Sequence, residues 1–225
     1  MSEKLPMDSS KVTAAFFDFD ETLLAINSSG IGFKVLKENG YLTKKFMLKM
    51  MVALILHKAR IIDEMRLAKT FLSFYRGRDL QPFIDTAQGF YEEYLRPNLS
   101  PEVTSKLRWH QEQGHQTVLV TGSIEYYLKP VMNDLGIDHL LCTHLEVDKD
   151  GLLTGKSAGP VCVGNAKVTL ARILAEKQGI DFSKSYAYGN SEMDIPMLEE
   201  VGYPVIVNPS PLLVKHAQQH NWPGL

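Results

Sequence analysis

Three short polar segments carry the residue types that can do chemistry. Asp18, Asp20, Glu21 and Thr22 follow the apolar run 12–17. Thr121, Gly122 and Ser123 follow the strand-like run 116–120. Gly189, Asn190, Ser191, Glu192 and Asp194 follow residues 185–188, and Lys167 stands between the second and third segments. Asp18 and Asp20 lie two apart just past a strand, so both carboxylates can point one way, and close carboxylates repel. A divalent cation, a shared proton or Lys167 must compensate. Oxygen-rich ligation with few thiols or imidazoles suits Mg²⁺. Thr121 and Lys167 are natural donors to phosphate, and Gly122 lets backbone amides approach it. An acidic group, a hard cation and cationic phosphate clamps together suggest phosphoryl chemistry, with Asp18 as nucleophile.

The elements that must position these residues can be read from patterning. The runs 12–17, 116–120, 139–142, 185–188 and 204–207 read as strands, alternating with helical stretches at 101–113, 126–135, 166–178 and 195–201. Strands alternating with helices predict a parallel sheet whose carboxyl ends collect function. Asp150-Gly151 between 145–148 and 152–154 predicts a β-hairpin. Residues 28–98 show apolar spacings near three and four and no convincing strand, so they read as an inserted unit of about four helices.

Asp18-Phe-Asp-Glu-Thr-Leu23, Val120-Thr-Gly-Ser123, Lys167 and Tyr188-Gly-Asn-Ser-Glu-Met-Asp194 resemble, in order, the four motifs of the haloacid dehalogenase superfamily. The helical insertion resembles the cap of its subfamily IB, the phosphoserine phosphatase-like group. The resemblance implies an α/β fold: a Rossmann-like parallel sheet flanked by helices, an all-helical cap and a small β-hairpin. It implies a core domain of residues 1–25 and 99–225 and a cap of 26–98.

It also implies roles. Asp18 forms an aspartyl-phosphate, Asp20 is the general acid and base, Thr121 binds phosphate, and Lys167 neutralises Asp18 and the phosphate. Glu21, Gly122 and Ser123 are assigned to the substrate. Mg²⁺ is held by Asp18, the Asp20 carbonyl and the position of Asn190, and Asp194 orients a metal-bound water or the lysine or contributes to the metal. Asn190 stands where the family usually has an acid, which implies weaker Mg²⁺ binding. Asn27 stands where phosphoserine phosphatases carry an acid that meets the substrate ammonium, which disfavours phosphoserine. Arg60, Arg66, Arg76 and Arg78 are candidates for an anionic substrate tail.

The expected activity is hydrolysis of a small phosphorylated metabolite. The alternatives are a phosphotransferase and a catalytically weak phosphate-ligand binding protein. A nucleotide-dependent oxidoreductase is disfavoured, because no GxGxxG follows the first strand.

Composition narrows the partners. The 225 residues carry 24 Lys+Arg against 26 Asp+Glu, a net charge of −2, which disfavours a general nucleic-acid binder. Cys142 and Cys162 lack metal spacing and read as buried free thiols of a cytoplasmic protein. The polar amino terminus lacks a signal-peptide pattern. The apolar run 46–56 contains Lys49 and is too short to span a bilayer. It reads as a buried or groove-facing helix, with no firm membrane association, although Lys44, Lys45, His57, Lys58 and Arg60 flank it. Met47, Met50 and Met51 read as core packing, with an apolar substrate pocket as the alternative. The seven histidines receive no role.

Overall fold

The computed structural model describes residues 11–225; the amino-terminal residues 1–10 of the expected core domain, which carry the polar leader, lie outside them. Five strands form one parallel sheet in the order β3-β2-β1-β6-β7. They are β1 (Ala14–Phe17), β2 (Gln116–Ile124), β3 (His139–Thr143), β6 (Tyr186–Gly189) and β7 (Tyr203–Ile206). A separate antiparallel pair joins β4 (Leu145–Val147) to β5 (Leu153–Ser157) around the expected turn.

All four residues of β1 are buried, as a central strand covered on both faces requires. One face packs Phe16, Val118 and Ala187 against α7 (Asn165–Gln178), α8 (Ile195–Glu200) and α9 (Pro211–His220). The other packs Phe17 and Leu119 against α5 (Pro101–Glu112) and α6 (Glu125–Leu135).

Between β1 and α5 the chain forms α1 (Ser28–Glu38), α2 (Lys44–Lys58), α3 (Glu64–Leu72) and α4 (Gln81–Phe90), with short irregular helical turns. Their apolar faces make a third cluster around Leu72, Phe74, Tyr75 and Phe83, which also takes in Leu153 of the hairpin. Main-chain bonds from Gly77 N to Leu153 O (2.7 Å) and from Leu153 N to Arg78 O (2.8 Å) tie the hairpin to this helical layer.

Three element readings change. The first strand starts at Ala14, with Val12 held only by a bridge to Ile180. β2 does not stop at Val120: Thr121-Gly-Ser-Ile124 continues it across a register shift, because Ile124 still pairs with Thr143 of β3. Helix α9 was not foreseen. Its signals are present locally, since the Ser210 side chain caps Leu213 N and Pro211 stands in the first turn.

Candidate active site

β1, β2 and β6 lie side by side, and Phe17 pairs with both Leu119 and Tyr188. That register brings Asp18, Thr121 and Asn190 to one carboxyl edge of the sheet. Asp18 is buried; its Oδ1 accepts from Lys167 Nζ at 2.5 Å and its Oδ2 from Thr22 Oγ1 at 3.2 Å. Lys167 Nζ also donates to Asp194 Oδ1 at 2.6 Å.

Asp194 occupies the N-cap of α8 but gives that helix no side-chain bond. It turns back in a capping box with Ser191. Its Oδ2 accepts from Asn190 N at 3.1 Å, Ser191 N at 3.0 Å and Ser191 Oγ at 3.1 Å. Glycine at 189 permits this turn, since a Cβ there would lie 2.6 Å from Asp194 Cβ. The same reasoning applies at Gly122, where a Cβ would meet Val163 at 2.9 Å.

Asp20 points toward the helical layer. Its Oδ1 accepts from Ser28 N at 2.5 Å, at the start of α1, and its Oδ2 from Ser123 Oγ at 3.0 Å. Thr121 Oγ1 accepts from Ser123 N at 3.1 Å within the last residues of β2. Glu21 has a left-handed backbone with φ of 60°. Its carboxylate accepts from Asn190 Nδ2 at 3.1 Å, and its carbonyl accepts from Asn208 Nδ2 at 3.3 Å.

Asp18, Asp194 and Lys167 are all buried, so this cluster holds two carboxylates against one ammonium. Burial first, and then the Asp194 charge, push Asp18 up to about 7, with Lys167 pulling the other way. Burial works to strip the Lys167 proton, but Asp18 and Asp194 outweigh it and hold that group above the usual lysine range. The excess negative charge and the donors at the strand ends fit a hard divalent cation: the Asp18 carboxylate, backbone carbonyls and the Asn190 amide oxygen are all oxygen ligands. Among the described residues, the Asn190 amide oxygen accepts no hydrogen bond, while its amide nitrogen donates to Glu21.

Asp18, Asp20, Glu21, Thr121, Gly122, Ser123, Lys167 and Asn190 line one cavity of about 600 Å³, and Asp194 sits behind Lys167. The opposite wall was not legible in the sequence. It is built by Phe33, Met50, Leu54, Leu67, Phe71 and Leu72, and Glu64 and Glu192 also line the cavity. A helical pattern identifies such residues as inward-facing but does not say which of them face a cavity.

The methionines separate accordingly: Met50 lines the cavity, Met47 packs in the helical layer, and Met51 faces solvent. Asn27 lines the cavity while its Oδ1 accepts from Gly30 N at 3.2 Å. None of Arg60, Arg66, Arg76 and Arg78 lines it. Arg76 donates to Thr154 O, and Arg78 lies 4.3 Å from the Phe74 ring centroid. No histidine lines the cavity either. A second cavity of about 740 Å³ adjoins it along Ser29, Phe71 and Tyr127 but contains none of the strand-end groups. Cys142 and Cys162 are buried and free, and burial pushes their thiols up to about 12 and about 11.

Comparison with known proteins shows the family and the fold. The sequence model of the haloacid dehalogenase-like hydrolases matches residues 15–199. A probable phosphatase of Mycobacterium tuberculosis is 32% identical over 216 residues, covering 95% of this chain and 75% of that protein. A phosphoserine phosphatase of the same organism is 28% identical over 214 residues, covering 93% of this chain and 69% of that protein. The crystal structure of a protein of unknown function from Bordetella pertussis Tohama I superposes with a TM-score of 0.86 at 24% identity, covering 96% of this chain and 99% of that one. The chain belongs to the haloacid dehalogenase-like hydrolases and is an enzyme of that family.

Proposed function

We propose that the chain is a Mg²⁺-dependent phosphatase that hydrolyses a phosphate monoester through an aspartyl-phosphate on Asp18. The observation that carries this reading is the clamp on Asp18, a buried carboxylate held by Lys167 and Thr22 at the edge of a cavity. In the first step an Asp18 oxygen attacks phosphorus, the ester P–O bond breaks, and Asp20 gives its proton to the leaving oxygen. The Thr121 hydroxyl, the strand-end amides near Gly122 and the Lys167 ammonium donate to the phosphate oxygens. In the second step water attacks phosphorus, its proton passes to Asp20, and the bond to Asp18 breaks. Inorganic phosphate leaves, Asp18 is again a free carboxylate, and Asp20 again carries the proton it gave in the first step.

Mg²⁺, held by Asp18, the Asp20 carbonyl and Asn190, would supply charge neutralisation of the transferring group. Asp194 acts through Lys167, since its oxygens are taken by protein donors. Residues 26–98 serve as a cap domain over a core of 1–25 and 99–225, closing on the substrate and excluding bulk water. The buried free thiols favour a cytoplasmic setting. Phosphoserine is a poor candidate substrate: Asn27 is neutral, and no arginine lines the cavity to meet a carboxylate.

The test is phosphate release from a panel of monoesters with Mg²⁺ or with EDTA. Asp18→Asn should lower turnover by about a thousandfold or more. Turnover that survives this substitution, or that is indifferent to EDTA, removes the reading.

A further inference from the structure

Helix α2 is apolar on both sides, yet only one side is covered. Met50 and Ala53 are buried, and Phe46 and Met47 pack against the helical layer. On the other side Leu48, Val52 and Ile55 recur at helical spacing with Met51 beside them, and they are 57%, 45%, 60% and 52% exposed in that order. Of the fourteen large exposed apolar side chains among the described residues, seven lie between Tyr41 and Ile61. A helix apolar all round belongs in a core or against another apolar phase, and contiguous apolar exposure marks an interaction surface.

The charged residues of α2 and of the chain beside it have one sign up to Asp63 and Glu64, where α3 begins. Residues 41–62 contain Lys44, Lys45, Lys49, Lys58 and Arg60 and no Asp or Glu, in a chain whose net charge is −2. A second copy meeting this patch across a two-fold axis would set lysine against lysine. An anionic lipid surface answers both features, since interfacial helices bury an apolar face and set lysines among anionic headgroups. With 15 residues, α2 can lie in that interface, and no helix among the described residues is long and apolar enough to cross a membrane.

This face is continuous with the catalytic cavity. Leu54, 52% exposed, forms its rim, and Met50 and Phe71 continue the wall inward. We propose that α2 docks on an anionic lipid surface and that the cavity takes from it a phosphate monoester with a hydrocarbon tail, laid along Leu54, Met50 and Phe71. The substrate half of this proposal rests on the phosphatase reading above.

The test uses the full chain with Mg²⁺. Cosedimentation compares vesicles of phosphatidylcholine with vesicles of phosphatidylcholine and phosphatidylglycerol. Hydrolysis compares phenyl phosphate in solution with hexadecyl phosphate in the anionic vesicles. The wild type should bind anionic vesicles at least about tenfold more tightly than neutral ones, and salt should weaken the binding. The triple variant Leu48→Glu, Val52→Glu, Ile55→Glu should lose vesicle binding and about tenfold or more in kcat/KM on hexadecyl phosphate, with phenyl phosphate turnover unchanged. The triple variant Lys44→Glu, Lys45→Glu, Lys58→Glu leaves the apolar face intact and should show the same split; it carries the test if the first variant fails to fold.

Phenyl phosphate turnover without anionic vesicle binding or preference for the long chain overturns this inference alone. So does a dimer that the first variant dissociates without changing vesicle partition. Vesicle binding with no hydrolysis of any monoester overturns the phosphatase reading and the substrate half built on it, and upholds the docking surface.

Discussion

The strand-end cluster of the sheet and the outer face of α2 both break the usual rule of polar outside and apolar inside, in opposite directions. In the first, Asp18, Lys167 and Asp194 are buried charges, and the chain itself answers most of their cost: Lys167 reaches Asp18 across 149 residues of sequence and Asp194 across 27. In the second, Leu48, Val52 and Ile55 are exposed, and no element among the described residues covers them. A buried charge without a partner destabilises the fold directly, so its compensation must be built in. An exposed apolar face costs little folding energy and leaves its compensation to something outside the chain. On the proposals above, the first region does chemistry on a bound group and the second selects where that group comes from.

The largest effect that would break this contrast is at Lys167. Lys167→Met leaves two buried carboxylates without their cation and should destabilise the protein by about 3–5 kcal/mol, read by urea unfolding. A small change would mean that the cluster is solvated and the contrast false.

The next effect concerns the leftover negative charge and pH. Asp18 is raised from 3.8 to about 7 in the folded protein. Its contribution to stability is therefore fully present below about 4 and is lost as pH rises through about 7. Without metal, Asp18→Asn should melt close to wild type at pH 5 and above it at pH 8. With Mg²⁺ the order at pH 8 should reverse, because the wild type retains its ionised ligand. Melting curves at both pH values with MgCl₂ or EDTA decide it, and a constant difference across pH would show that Asp18 is not the group that titrates.

A smaller effect is expected at Asn190. Asn190→Asp adds a full charge beside Asp18 and Glu21 and should tighten Mg²⁺ by about tenfold in half-saturation of activity. An unchanged Mg²⁺ requirement would exclude position 190 from the metal shell.

The smallest effect sharpens the other half of the comparison. Single substitutions Leu48→Ser and Ile55→Ser should change stability by no more than about 0.5 kcal/mol in urea, as surface positions do. A loss of several kcal/mol would mean that the face is covered in solution.

Much of the polar site was legible because its residues follow strands directly. An apolar run such as 12–17 announces a buried strand, and a parallel sheet collects chemistry at its carboxyl ends, so the sequence alone places Asp18, Thr121 and Asn190 near one another. The helix after residue 210 was missed although Ser210 and Pro211 mark its start. The end of β2 was misread because Thr121-Gly-Ser123 resembles a turn locally, whereas pairing with β3 keeps it extended.

The order of most elements, the chemistry available at three strand ends and the mixture of apolar and basic residues in α2 follow from local spacing and residue type. Which partner each group has follows from packing. Packing placed Asp194 behind Lys167 and turned Glu21 onto Asn190. It kept the arginines out of the cavity and left one face of α2 bare. Those outcomes depend on how elements far apart in the chain pack together, and no local pattern carries that information.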